Sequence, residues 1–542
     1  MRAADKKIKI FLLLGISGVL TGLTLIFPEI GFLEWISLVP MGLVLYELAD
    51  TETVKLRHIY LYGLYFFGVF YVMAHHWFFN LYPFEFIGGM TKPVALAIVL
   101  LAVFGLSFLQ ALIGAVAFLL AVWLMRLPVF KKRLFLRPIL MGGIWAVYEW
   151  SQNFAWWTMP WARLPIGQSE YVVGLQTASL LGSYFVTFLI VAVNFYAAQG
   201  FSAIWIKDKE ARVSGIRLAA IMCGAILLFQ YGAGLGLYFA GKSESGKVVT
   251  VGAVQGNFPS GEKWDPDTEE KTLLVYTKYT LEAAENGAKI IVWPETAMPW
   301  MVKEGLGRHR FIAELARKTD ATILAGCFTY DGEYNEYNSI ICVTPDGDMN
   351  DTVYAKRHLV PFGEYVPMEN LIKTVFPPLA ELIMSGSDLV EGEGANLFDI
   401  EEGKIGSIIC FDSIYEDASL ESVREGAQVL CLSTNDSWFT DSAALRMHRA
   451  QGQLRAIECG RYVLRSANTG LTCIINNRGD IVEDVAPHEA ASLVGEVEMR
   501  SERTLYSYIG NTFIYLWAVI LTALTVGSFV YKFKTRKISC SL

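Results

Sequence analysis

The chain has 542 residues, of which 53% are hydrophobic and only 18% charged, and its formal net charge is −8. A soluble protein seldom has such a composition, and the apolar residues are unevenly spread. They concentrate in residues 9–240 and again near the C-terminus, whereas residues 243–510 read as an ordinary globular segment long enough for one full domain.

Candidate membrane spans, each near the ~20 residues that cross a bilayer, fall at 9–27, 31–48, 58–79, 93–125, 135–152, 171–199, 216–240 and 511–531. The first has a basic start (Arg2, Lys6, Lys7, Lys9) like a signal peptide, but its apolar run is too long and no A-x-A site follows, so it is expected to be a retained span. Residues 1–241 thus form a predicted seven-helix region, 242–510 a soluble domain, and 511–542 a last helix with a basic tail.

Orientation follows from the Lys/Arg distribution in the loops. The N-terminus, the second loop (Lys55, Arg57), the fourth (Arg126, Lys131, Lys132, Arg133, Arg137), the sixth (Lys207, Lys209, Arg212, Arg217) and the tail "YKFKTRKISCSL" are basic. Loops such as "NLYPFEFIGGMTK" are nearly free of positive charge. All basic segments share one side only with eight crossings. Both termini are then cytoplasmic and residues 242–510 lie outside the cytoplasm. That setting permits disulfides, yet Cys327, Cys342, Cys410, Cys431 and Cys473 sit in apolar runs that suit buried free thiols equally well.

Within the soluble domain short β-rich runs recur, among them "KVVTVGAVQGN", "AKIIVWPE", "ATILAGCF", "NSIICVTP", "GKIGSIICFD" and "AQVLCLSTND". Stretches with helical spacing lie between them, such as "EEKTLLVYTKYTLEAAENGA", "RHRFIAELARKTD" and "ALRMHRAQGQLRAIECGR". "TPDGDM" and "NNRGDI" predict hairpin turns. Apolar strands alternating with helices predict a layered α/β domain. Glu295, Cys410 and Asn435 end such strands, at the edge where α/β folds place their sites.

Two motif matches fail on context. "GLYFAGKS", Gly236 to Ser243, fits a phosphate-loop pattern but ends a membrane span instead of following a strand. "SGEK", Ser260 to Lys263, fits S-x-x-K but is expected in a loop behind Pro259. The histidines form no H-E-x-x-H array and no C-x-x-C pair occurs, so no metal or other cofactor is expected. His75 and His76, beside Trp77, are expected at the membrane interface.

Three segments set an ionisable residue among strand ends and tight turns: "VWPETAMPW" with Glu295, "YAKRHLVPFGEYVP" with Lys356 and Glu364, and "IICFDS" with Cys410. Singly, each has a bland alternative as core thiol, surface cation or helix cap. Together they supply what a thiol nucleophile needs. A free thiol, with pKa near ~8.5, is mostly protonated at neutral pH. A carboxylate can take its proton, and a cation can stabilise the thiolate and the later oxyanion.

"WPET", "YAKRHLVPFGEYVP" and "CFDS" in this order resemble the nitrilase, or carbon–nitrogen hydrolase, superfamily. Such a domain between seven spans and a final one resembles the apolipoprotein N-acyltransferase family over essentially the whole chain. "VQGNFPSGEKWDP", "STNDSWF" and "RAIECGRYVLRSANTG" resemble further family blocks. The resemblance implies an αββα sandwich with Glu295 as general base, Lys356 as electrostatic stabiliser and Cys410 as nucleophile, supported by Glu364. Trp264 and Trp438 match aromatic positions of the acyl and substrate pocket. Phe411 and Asp412 depart from the family's usual Tyr-Glu, which puts in question any hydrogen bonds carried over to them.

The activity so implied is two-step acyl transfer in a bacterial inner membrane. A membrane phospholipid donates the acyl chain through a Cys410 thioester, and the α-amino group of a diacylglyceryl-modified lipoprotein accepts it. A monomer without a nucleic-acid partner is expected. The aromatic cluster "NFAWWTMPWARLP" fits an interfacial belt or a lipid gate. The enzymatic alternative is a membrane-tethered amidase in which water resolves the thioester. The non-enzymatic one, a transporter or receptor with a decayed external domain, is weakened because the spans lack paired charges marking an ion path.

Overall fold

A computed structural model describes residues 3–84, 90–242, 246–375 and 388–540. Arg2, Ser243, residues 85–89 of the fourth-span approach and the side chains of the basic tail from Lys532 onward lie outside the described residues. The chain divides into two compact units, one built from residues up to Phe79, Leu96–Ala240 and the segment from Ile509, the other from Asn80–Ala95 and Gly241–Tyr508.

The first unit is helical. Asp5–Ile26, Pro28–Asp50, Lys92–Met125, Ser183–Ala203, Lys209–Ala240 and Thr512–Tyr531 are long and apolar enough to cross a membrane. Helices Leu56–Ala74 and Leu136–Ser151 fall at the two other predicted spans. The predicted span 171–199 is not continuous. Gly182, at φ +83°, separates the short helices Val172–Leu175 and Ala178–Leu181 from Ser183–Ala203, because a left-handed residue cannot propagate a right-handed helix. His75 is buried within the helices, with Nδ1 3.2 Å from Ser107 Oγ and its ring stacked on Tyr71. The aromatic cluster divides, with Trp161 buried and Phe154 and Trp157 exposed. Gly236 lies inside the helix Lys209–Ala240, so the phosphate-loop match has no strand before it.

Among the described residues the second unit carries thirteen strands in chain order: β1 Lys247–Gln255, β2 Ile290–Val292, β3 Met298–Met301, β4 Thr322–Tyr330, β5 Glu336–Val343, β6 Met349–Ala355, β7 Phe398–Ile400, β8 Gly403–Ile409, β9 Val429–Thr434, β10 Val463–Ala467, β11 Cys473–Ile475, β12 Ile481–Asp484 and β13 Ala491–Met499. One sheet runs β13-β1-β2-β4-β5-β6 with β3 beside β4, and the other runs β12-β11-β10-β9-β8-β7. β1, β2 and β4 are parallel, as are β8, β9 and β10.

Side-chain alternation builds the layers. Ile290 and Val292 of β2, Leu324 of β4 and Val429 and Cys431 of β9 face a core shared by both sheets. Their neighbours Ile291 and Ile323 pack outward against the helices Glu269–Glu285 and Gly307–Thr319. Leu430 and Leu432 pack against Asp417–Glu425 and Ala443–Cys459. The result is helix, sheet, sheet, helix. Cys327, Cys342, Cys431, Cys459 and Cys473 are free thiols buried in these layers.

Candidate active site

The layering places several chain exits along one edge. β2 runs out through Trp293 and Pro294 into Glu295, β6 into Lys356, β8 into Cys410 and β9 into Asn435. Cys410 takes φ +48° and Thr296, next to Glu295, φ +46°. A left-handed non-glycine residue is strained and persists only where its surroundings fix it. The Cys410 carbonyl oxygen is held from two directions, accepting from Ser413 Oγ at 2.7 Å and lying 3.1 Å from His448 Nε2. His448 Nδ1 is 2.9 Å from Asp436 Oδ1, and Asp436 Oδ2 accepts from Arg465 at 2.5 Å.

Lys356, 1% exposed, donates from Nζ to Glu295 Oε1 and to Glu364 Oε1, each at 2.9 Å. Asn338 Nδ2 bridges the same two oxygens at 2.8 Å each. Glu295 Oε2 accepts from the Asn435 backbone N–H at 2.8 Å, and Glu364 Oε2 from that of Val360 at 2.8 Å. Every oxygen of both carboxylates is therefore engaged, as buried acids require.

The charges settle accordingly. Burial opposes ionisation of Glu295, but Lys356 and then Lys263 outweigh it and hold the carboxyl below its ordinary range. Burial dominates at Glu364, whose carboxyl is raised despite Lys356. Burial also works against the Lys356 ammonium, yet Glu295, Glu364 and Cys410 keep it protonated well above the usual range. Removal of water, with the Glu295 charge, pushes the Cys410 thiol far up, while Lys356 acts in the opposite sense. At rest the group is an ammonium, a carboxylate and a protonated thiol.

Asp412 does make bonds at the position where Glu is usual in the resembled family. Its Oδ2 accepts from Tyr354 Oη at 2.9 Å and the Ile409 N–H at 3.0 Å. Its Oδ1 accepts from the N–H groups of Arg357 at 3.2 Å and His358 at 2.8 Å. Phe411 packs edge-on against Tyr415 at 5.6 Å between ring centroids. Trp264 is 43% exposed and lies 6.1 Å from the Phe328 ring. Trp438 is half-buried on the turn Asp436–Phe439 that follows β9.

"SGEK" is not a loop. Ser260–Lys263 forms one helical turn behind Pro259, Ser260 Oγ meets Ser437 Oγ at 2.6 Å, and Lys263 turns inward to donate to the Glu295 carbonyl oxygen at 2.8 Å. Asn338 and Lys263 are site components that the sequence did not mark as such, and Asn435, a strand-end residue at this edge, contributes its backbone N–H. Among the described residues no His/Cys/Asp/Glu group could hold a metal ion.

Two family models match the chain: carbon-nitrogen hydrolase over residues 250–515 and apolipoprotein N-acyltransferase N-terminal domain over residues 17–196. The apolipoprotein N-acyltransferase of Geobacter metallireducens is 31% identical over 399 residues, 72% of this chain and 74% of that protein. The one from Gloeobacter violaceus is 27% identical over 504 residues, 90% of this chain and 88% of that protein. A third, from Methylococcus capsulatus, is 29% identical, covering 69% of this chain and 70% of the relative.

Proposed function

Because the chain belongs to the apolipoprotein N-acyltransferase family, we propose that Cys410, Glu295 and Lys356 carry its acyl transfer as nucleophile, general base and electrostatic stabiliser. The observation that carries this reading is the Lys356 ammonium, 2.9 Å from both the Glu295 and Glu364 carboxylates, at the sheet edge from which Cys410 turns out.

In the first step the Cys410 thiol gives its proton to Glu295 as the sulfur attacks the acyl ester carbonyl of a membrane phospholipid. Thiol and carboxylate are the resting forms, so proton transfer accompanies attack. Lys356 stabilises the oxyanion of the tetrahedral intermediate. Its collapse breaks the ester C–O bond, the departing alkoxide takes the proton from Glu295, and a lysophospholipid leaves a thioester on Cys410. In the second step the α-amino group of a lipoprotein's diacylglyceryl-cysteine attacks that thioester. Glu295 takes the amine proton and returns it to the departing sulfur, so an amide forms and the thiol is restored. Glu364 supports the site by sharing Lys356, and Trp264 and Trp438 line the way in for acyl chain and acceptor.

Orientation belongs to the same proposal. Eight crossings put both termini in the cytoplasm of a bacterium and the α/β unit on the extracytoplasmic side of its inner membrane, and the Lys/Arg distribution of the loops supports this. A reaction between two lipid-bearing substrates is served by a site held at the leaflet surface. The enzyme acts as a monomer.

Incubation of the purified protein with phospholipid and a diacylglyceryl lipopeptide tests the acceptor. Amide-linked acyl chain on the lipopeptide supports the transferase reading. Release of free fatty acid alone favours a hydrolase in which water resolves the thioester.

A further inference from the structure

Lys263 is a buried cation beside this site that the reaction as written does not use. It is 3% exposed, on the one-turn helix Ser260–Lys263, and its Nζ reaches the Glu295 carbonyl oxygen at 2.8 Å. A buried ammonium is costly unless an opposite charge faces it. Its neighbour Glu262 does not serve, because that carboxylate faces solvent and pairs with Lys271 at 2.7 Å. The charges that act on Lys263 are those of Glu295, beyond β2, and Cys410, beyond β8.

The balance of charge explains why a second cation belongs there. Glu295 and Glu364 are both buried, and both lean on the single ammonium of Lys356. The other acids nearby have their own partners: Asp436, beyond β9, is paired with Arg465, and Asp412 is gripped by Tyr354 and three backbone N–H groups. With Lys356 alone the pocket would hold one negative charge too many, and one carboxylate would have to take up a proton. Lys263 brings the count to two cations and two carboxylates.

We propose that Lys263 is a positioning residue that tethers the Glu295 main chain and, as the second cation of the pocket, keeps Glu295 ionised opposite the Cys410 thiol. This rests on the assignment of Glu295 as the base. Burial pulls the Lys263 ammonium down to about 7, with Glu295 and then Cys410 acting to hold its proton, so the balance is poised close to neutral pH.

The test uses the full-length protein in detergent and reads the rate at which iodoacetamide labels Cys410, resolved at peptide level by mass spectrometry, between pH 3 and 9. Lysophospholipid release is followed in parallel. Lys263→Gln keeps a donor for the Glu295 carbonyl without the charge, Lys263→Met removes both and leaves a well-packed apolar chain, and Lys263→Arg keeps the charge. In Gln and Met variants that melt like the parent, the acid limb of labelling is expected to move up by about one pH unit, with labelling at a pH on that limb falling about tenfold, since loss of a facing cation disfavours the carboxylate. Arg is expected to recover part of the loss. An unchanged labelling profile in folded Lys263→Gln or Lys263→Met overturns the inference. If the parent itself forms no Cys410 thioester with phospholipid, the underlying assignment fails instead, and the two failures are separately visible.

Discussion

Asp412 accepts the Tyr354 hydroxyl at 2.9 Å, which ties the turn that carries Cys410 to the strand that delivers Lys356. Together with the Arg357 and His358 N–H bonds, this one carboxylate spans the two chain segments that bring sulfur and ammonium into one pocket. An aspartate is one methylene shorter than glutamate, and here it still reaches the Tyr354 hydroxyl and three backbone N–H groups.

Asp412→Asn puts an NH2 group against donors and leaves buried groups unpaired at ~1–3 kcal/mol each. The variant is expected to fold but to melt several degrees lower, at roughly 2–4 °C per kcal/mol for a unit of this size, and to form thioester more slowly. Tyr354→Phe, which removes one of four donors, should show a smaller drop. Thermal melts and single-turnover lysophospholipid release check both.

Lys356→Met strands two buried carboxylates that share one cation. Acylation is expected to fall by more than about a hundredfold, as for loss of a principal electrostatic stabiliser, and Lys356→Arg should not restore it. The site accepts one point donor between two Oε1 atoms that Asn338 already bridges, and a planar guanidinium fork does not fit that geometry. The rate of lysophospholipid release at saturating phospholipid is the readout.

Glu364→Gln separates the two acids. Burial raises Glu364, with the Glu295 charge adding to it, while Glu295 is held low, so Glu364 takes up its proton first as pH falls. Its charge is gone where Glu295 titrates, so the acid limb of the acylation rate should stay where it is in the parent. A limb that moves to lower pH would show that Glu364, not Glu295, governs it. A pH–rate profile of single-turnover acylation decides between them.

Much of this arrangement was legible in the chain. Short continuous apolar, β-rich runs marked the strands, and an ionisable residue straight after such a run, as at Glu295 or Cys410, had to emerge at a sheet edge. Hairpins at "TPDGDM" and "NNRGDI" declared themselves through their turn residues. What stayed hidden depends on partners distant in sequence. Asn338 sits early in β5, in a run that reads as plain strand, and acquires its role only because Glu295 and Glu364 converge on it from 43 and 26 residues away. Lys263 reads as one more polar residue in "SGEK" until the turn behind Pro259 points it inward. In the helical unit, the apolar run through 171–199 hides the break at Gly182, since hydropathy does not register backbone handedness.

Whether Cys410 carries the acyl chain is read from mass spectrometry of the purified protein after incubation with phospholipid alone. An acyl-sized mass increase is expected on the Cys410 peptide, removed by hydroxylamine and absent in Cys410→Ser. Lysophospholipid released with no such adduct on Cys410, or an adduct on another residue, would contradict it.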